Sequence, residues 1–455
     1  METAEAKPAK QPRTDIFAEP LHGTTQYFRP TTVTDERQYW GSLPVETGKE
    51  RGYFFAVRPN NTTENSNQIT LDVPGSNDYT DPFNTFLHVK VKVTKPDGSN
   101  GAKSVYTPVS LFSHALFKQV DVSMGTNAQR ISDGNPLYPY RAYIETLLGP
   151  DMDVKNYQLK TLELWDPPKT GKETEFDATA EGATTQIKAR AALIDEGKEH
   201  QLMFKLHADF FQQKNYLPPM VPFSVSLRRT PSEFAILAKD GTAVKITLSE
   251  VILFVRRVVV SEAIRLADEN NLARQAIKMF MPFKRMTEHT ISNGNTRYTN
   301  TNFITGEIPQ RMSFVFVPDA NLNGAITLNP FVFGRNGVTK FDVKVNDHSV
   351  ALDEGGEREN VLFNYFLTHF AMGALNTNKS YALSYADYET HSCVFVFETG
   401  AEMSKGIPSG SKAGAVSVSI NFATAPTNGL KLLCLEEYVG VLNINQARQA
   451  EMIKS

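Results

Sequence analysis

Two stretches more than two hundred residues apart read almost alike: "FKQVDVSMG", from Phe117, and "VTKFDVKVND", from Val338. Each sets an aspartate between two apolar residues in an alternating run, the pattern of a strand with one buried face. The residues downstream of them repeat as well. After the first comes "YPYRAYIETLLG", where Tyr140, Tyr143, Ile144, Leu147 and Leu148 fall at helical spacing before Gly149 and Pro150. After the second comes "VLFNYFLTHFAMG", another aromatic helix closed by glycine. Phe223-Ser224-Val225-Ser226-Leu227, Pro231 and Leu248-Ser249-Glu250-Val251 are then answered by Val416-Ser417-Val418-Ser419-Ile420, Pro426 and Leu435-Glu436-Glu437-Tyr438. A V-x-V run is common, so one match carries little, but four in the same order indicate a tandem duplication.

The repeated unit is built of strands. "GYFFAVRP", "NQITLDVP" and "NTFLHVKVKVTKPDG" are short β runs closed by turn residues, as are "RMSFVFVPD" and "AITLNPFVFG" later on. In "FLHVKVKVT", Leu87, Val89, Val91 and Val93 share one face, and His88, Lys90 and Lys92 the other. Many short strands, few helices and long loops predict an all-β fold of two tandem jelly-roll β-sandwiches, a double jelly roll. With 455 residues, the chain has the length for two such domains. The expected division is a flexible N-terminal arm over 1–50 and a first jelly roll over 51–260, with a polar loop insertion at about 166–200. A helical linker comes next over 261–285, read from "SEAIRLADENNLARQAIKMF" with Leu266 and Ile277, then a second jelly roll over 286–443 and a tail over 444–455.

Little in the sequence suits catalysis. None of the nine histidines forms H-x-H or H-E-x-x-H, so the metal sites of jelly-roll enzymes are not expected. "KTGKET" resembles a phosphate loop only superficially, because Asp166 stands where a P-loop needs its first glycine. No G-x-S-x-G occurs. Asp121 and Asp342 sit on polar strand faces and read as solvated or hydrogen-bonded carboxylates. The two cysteines, Cys393 and Cys434, lie in apolar runs and read as buried thiols. The chain is expected to be no enzyme and to need no cofactor or metal.

Charge and hydropathy narrow the partners. A net charge of -3, from 47 basic and 50 acidic residues, argues against a main surface that grips nucleic acid. In the arm, Lys7, Lys10 and Arg13 either reach DNA weakly or keep the segment soluble. The first residues lack the apolar core of a signal peptide, and no run of about 18 apolar residues predicts a membrane span. The sharpest charged features are Arg228-Arg229 in "SVSLRRTP" and Arg256-Arg257 in "LFVRRVVV". Neighbours on a strand face opposite ways, so one arginine of each pair points toward a core, a neighbouring domain or a partner. All four are candidate subunit-interface residues, against the plainer reading of snorkelling or ion-paired side chains at strand ends.

"LFKQVDVSMGTNAQRISDGNPLYPYRAYIETLL", "VPFSVSLRRTPSEFAIL", "EVILFVRRVVV" and "LNPFVF" together resemble the major capsid proteins of Polinton/Maverick elements and the related adintoviruses. The resemblance runs in order over about residues 50–442. It implies a double jelly-roll hexon, three copies of which form a pseudo-hexameric capsomer that tiles an icosahedral shell of DNA-virus type. The implied partners are further copies of the chain, neighbouring capsomers, and penton and minor capsid proteins. The implied place is the virion, after synthesis in the host cytoplasm and assembly in the host nucleus. Two other readings stand beside it. A tandem β-sandwich hydrolase acting on glycans would want aromatic platforms, for which Trp40 and Trp165 are few and scattered. A penton or attachment protein would not need the tandem repeat.

Overall fold

Alternation is obeyed strictly where it is clearest: in Tyr79–Thr94, Leu87, Val89, Val91 and Val93 are buried, while Lys90 and Lys92 turn outward. The computed structural model describes residues 48–454 except 65, 173–174, 176, 239–240, 323, 351–360, 378–380, 382 and 401–408. The arm as far as position 47, with Lys7, Lys10 and Arg13, lies outside the described residues.

The first half contains β1 (Lys49–Val57), β2 (Gln68–Val73), β3 (Tyr79–Thr94), β4 (Tyr106–Pro108), β5 (Phe117–Met124), β6 (Gln129–Arg130), β7 (Glu199–Phe204), β8 (Phe223–Arg229), β9 (Ile236–Ala238) and β10 (Lys245–Val260). After β11 (Ile277–Phe280), the second half contains β12 (Phe283–Ile291), β13 (Arg297–Glu307), β14 (Arg311–Pro318), β15 (Val338–Val345), β16 (His348–Ser349), β17 (Phe395–Glu398), β18 (Ala413–Phe422) and β19 (Leu430–Tyr438). The chain ends with β20 (Gly440–Ile444) and β21 (Ala450–Lys454).

The first sandwich faces sheet β1-β10-β3-β7 against β2-β8-β5-β6; the second faces β12-β19-β14-β17 against β13-β18-β15-β16. With the short β4–β9 ladder set aside, the two strand orders are identical, and each is a jelly roll. The duplication holds at the level of register. Asp121 lies opposite Ser226 and Asp342 opposite Ser419, with Val122 opposite Val225 and Val343 opposite Val418. Each aspartate accepts a serine hydroxyl from on or just past the next strand, Ser132 at 3.2 Å and Ser349 at 2.8 Å. The two L-x-E motifs lie on β10 and β19, and each glutamate pairs across the ladder with a base, Glu250 with Lys90 and Glu437 with Arg311, both at 2.6 Å.

Four segments depart from the sequence expectation. The run "AITLNPFVFG" forms no strand; it is turn and loop with a single bridge from Phe333 to Ser392. The stretch read as a loop over 166–200 carries a helix, Thr185–Ile194, and runs into β7 at Glu199. Thr184 caps the helix through Ile187 N–H, but its buried stripe is only Ile187, Ala191 and Ile194, too thin and small to signal a core face. The linker read over 261–285 is a helix only over Glu262–Arg274; Ile277 belongs to strand β11, with Met279 as its single buried residue. The tail beyond 444 ends in strand β21, which completes a three-stranded sheet with β11 and β20. Its register is pinned by the β5–β6 turn, where Asn127 donates to Ala450 O at 2.8 Å and accepts from Ala450 N–H at 3.0 Å. Gly125 has φ +80° there, and a Cβ would stand 2.6 Å from the Ala450 nitrogen, so only glycine fits.

The aromatic helix of the first half, α1 (Tyr138–Leu148), is the hinge of the molecule. Pro139 sits in its first turn, and every residue except Glu145 is buried. A helix buried all round needs neighbours on both sides. One side packs on its own sandwich; the other meets the second sandwich, where Tyr143 stacks on Phe331 at 4.5 Å and meets Phe333 edge-on at 5.4 Å. The polar groups of α1 work on the same boundary. β12 is an edge strand, and first-half side chains take up its backbone groups at Lys284 and Met286. Asp209 accepts from Lys284 N–H at 3.1 Å, and Arg141 donates to Lys284 O at 3.3 Å. Asp133 accepts from Met286 N–H at 2.9 Å, and Asn135 donates to Met286 O. Arg141 in turn pairs with Asp209 at 2.5 Å and with Glu145 at 3.1 Å, and Lys284 Nζ reaches Glu145 at 3.1 Å. Burial alone would raise the Glu145 carboxyl, but Lys284, Arg141 and His207 hold it well below the usual carboxylate range.

A second tie crosses the boundary at the end of α1. The buried ammonium of Lys155 donates to Leu147 O at 2.6 Å and to Tyr381 O in the second half. Burial lowers its pKa from 10.5 to about 7, with Asp151 pulling the other way. Between those values the unfolded chain holds a proton that the folded chain sheds. Stability therefore rises with pH across that window and is lost as pH falls to about 7.

Mutations on either tie probe this boundary. In equilibrium denaturation, Tyr143→Ala and Phe331→Ala should each cost about 3–5 kcal/mol. The double variant should cost less than their sum, because the two rings form one stacked pair; simple additivity would show that they act apart. Lys155→Met should flatten the rise in melting temperature that the parent shows between about pH 7 and 10.

Candidate functional site

The four candidate arginines do not converge. Arg228 and Arg229 end strand β8, while Arg256 and Arg257 lie on β10 in another sheet. Two are held inside the chain: Arg229 donates to Glu64 O at 3.1 Å and to Ile246 O, and Arg257 donates to Pro74 O at 2.9 Å and to Thr80 Oγ1. These bonds tie loops to strand ends, and Arg257 is fully buried. Arg228 is exposed, and Arg256 is half-buried with its guanidinium 4.9 Å from the centre of the Phe54 ring.

Phe54 belongs to a surface that sequence reading passed over. Among the described residues β1 is an edge strand paired only with β10, and its consecutive Tyr53, Phe54 and Phe55 are 36%, 51% and 41% exposed. The signal was present, since three consecutive aromatics on a strand cannot all face one core. The second surface lies on the aromatic helix of the other half, Val361–Ala371, where Phe366 and Phe370 are 41% and 47% exposed. Exposed aromatic surface of this kind marks contact sites more often than chemistry.

One arrangement has the look of a catalytic line. At the end of the short helix Tyr385–Thr390, Ser392 Oγ lies 2.9 Å from His391 Nδ1, and His391 Nε2 lies 3.2 Å from Asp387. Serine, histidine and aspartate are in order, but the donors an oxyanion would need are spent. Ser392 N–H donates to Asp387 O at 2.9 Å, and Cys393 N–H donates to Phe333 O at 2.8 Å. Ser392 and His391 are both buried, and the line closes a helix end beside the cavity that Leu147, Tyr381 and Leu383 also line. Cys393 and Cys434 are buried free thiols; burial pushes the first up to about 12 and the second well above its usual value. Among the described residues, no group of His, Cys, Asp or Glu is placed to hold a metal ion. Among them too, no helix is long and apolar enough to cross a membrane.

Comparison with known proteins places the fold. No family model matches the sequence, and no curated protein sequence matches it. Solved structures do. A chain of the Sputnik virophage superposes with a TM-score of 0.64 at 11% identity, covering 94% of this chain and 93% of that one. A chain of the PBCV-1 virus capsid gives 0.58 at 10% identity, covering 92% and 100%. The mavirus major capsid protein gives 0.53 at 12% identity, covering 95% and 97%. The likeness extends over nearly the full length of both partners in each case, so both sandwiches and their mutual arrangement are shared. The chain has the double jelly-roll fold of viral capsid proteins.

Proposed function

We propose that this chain is a structural major capsid protein, three copies of which form a pseudo-hexameric capsomer of an icosahedral shell. The observation that carries the reading is the duplication itself. Two sandwiches of identical strand order are fixed to one another through α1 and the capped edge of β12. A threefold assembly of such a chain presents six similar lobes, which lets it occupy six-coordinated positions in a lattice. The full-length likeness to the PBCV-1 capsid chain and the mavirus major capsid protein supports the same role.

The finer assignments rest on sequence. The motifs around Val120, Tyr143, Val225 and Val255 support a Polinton or adintovirus type. With it come penton and minor capsid proteins as partners, synthesis in the host cytoplasm and assembly in the host nucleus. The proposed division is an arm as far as position 47, jelly rolls spanning β1–β10 and β12–β19 about a linker, and a tail that carries β20 and β21; the arm is the segment proposed to meet neighbouring capsomers or DNA. Of the arginine pairs, Arg228 and Arg256 are the two with side chains left at the surface for a subunit contact. A non-enzymatic role accords with the spent N–H groups around Ser392.

Light scattering coupled to size-exclusion chromatography tests the capsomer. The purified chain should elute as a particle of three times 50.7 kDa and hold that mass in high salt, as an interface on the order of 2,000 Å² or more would require. A stable monomer that hydrolyses glycans would overturn the reading.

A further inference from the structure

The two halves use the same helix differently. The helix of the second half, α2 (Val361–Ala371), comes at the same point in the chain order as α1 does in the first: both come after the fifth strand of their jelly roll, and both have eleven residues. Laid end to end, they set Phe363, Phe366 and Phe370 at the positions of Tyr140, Tyr143 and Leu147. In α1 this face is covered by the second sandwich. Tyr140 and Tyr143 meet Phe331 and Phe333, and Leu147 lines a cavity with Tyr381 and Leu383. In α2, among the described residues, Phe363 on the same face is half-buried and Phe366 and Phe370 are exposed, the three in a row with Phe363 and Phe366 at 6.1 Å and Phe366 and Phe370 at 6.3 Å between ring centres.

The receiving surfaces correspond in the same way. Beside α1 lies β12, the first strand of the second jelly roll and an edge of its sheet. Its counterpart is β1, also nine residues long, also an edge, and likewise paired with the last strand of its half. β12 is covered by the preceding lobe of the same chain; β1 carries the exposed Tyr53, Phe54 and Phe55. We propose that the Phe366–Phe370 face of α2 docks beside the β1 edge of a second copy, repeating between chains the step that α1 and β12 make within one. The occupant is a second copy because this chain already contains the matching pair of surfaces in contact once. A step that passes from lobe to lobe in one sense is heterologous, and repetition closes it into a ring. The inference rests on the capsomer reading and supplies its contact surface.

The chemistry of this contact differs from that of its template. At the positions of Arg141 and Glu145, α2 has Asn364 and Thr368, and both face their own half; Thr368 donates to Val394 O at 2.8 Å. The ion network of the internal boundary thus has no counterpart at these positions. The contact is apolar and aromatic, with Arg256 over Phe54 and Arg51 over Tyr53 at its margin. Such a contact gains little from charge and is weakened little by salt.

Site-directed cross-linking of the full chain tests it. The variant carrying Phe54→Cys and Phe366→Cys, treated with a short bismaleimide, should give a ladder ending at three chains, its 54–366 link joining different copies. Cys393 and Cys434 are buried and do not compete. A 54–366 link within one copy, links from either position into residues 1–47, or no link in a trimeric sample would each overturn the proposal. As a second reading, Phe366→Asp with Phe370→Asp should lower the particle mass about threefold while circular dichroism and melting temperature hold. A trimer that persists in this variant overturns the contact but leaves the capsomer standing. A parent chain that is itself monomeric takes both away.

Discussion

The exposed edge of β12 is the constraint around which the molecule is organised. An edge strand offers unpaired N–H and C=O groups to any strand that passes, and a long two-sandwich chain must close such edges or aggregate. Here Asp209, Arg141, Asp133 and Asn135 each meet one of the backbone groups of Lys284 and Met286, so the first sandwich ends the sheet of the second without adding a strand. The cost is a set of buried charges, and these are compensated locally: Arg141 between Asp209 and Glu145, Lys284 on Glu145, His207 on Glu145 at 2.5 Å. A network of this kind holds only when every member is satisfied, which makes the boundary between the lobes specific as well as closed. With the edge capped and α1 wedged beside it, one hydrophobic cluster runs through both halves.

Much of the architecture was legible because jelly-roll strands write a period of two into the sequence. The V-D-V and F-D-V runs and the two S-V-S runs turned out to be adjacent strands in each half, with Asp121 across from Ser226 and Asp342 across from Ser419. What stayed illegible shares a physical cause. The helix Thr185–Ile194 buries only a thin stripe, and β11 and β21 bury little of their own; β11 pairs with the distant β20, and β21 is fastened by Asn127. No local pattern encodes a strand such as β11, whose partner β20 lies at the other end of the second half. Of the arginine pairs, Arg229 and Arg257 donate to nearby carbonyls, as arginines at strand ends commonly do, which no reading of charge along the sequence could foresee. The proposed contact surface is written in excess apolarity, as three aromatics in a row on β1 and the exposed Phe366 and Phe370 of α2.

Two copies of one fold are free to diverge only where their surroundings differ, and the aromatic helix marks that place. α1 meets its neighbour during folding of a single chain, once, and has no need to separate from it again. It can therefore carry Arg141 and Glu145 into the boundary, because their partners Asp209 and Lys284 arrive on the same chain at high effective concentration. α2 must keep its outer face in water until another molecule arrives. Ions there would have to be desolvated at each encounter, a cost that the attraction gained does not reliably repay. Phenylalanines lose only poorly placed water on docking and gain area. The same strand-helix-strand design thus yields an ionic joint inside the chain and an apolar one at its surface, and the difference comes from when each contact forms.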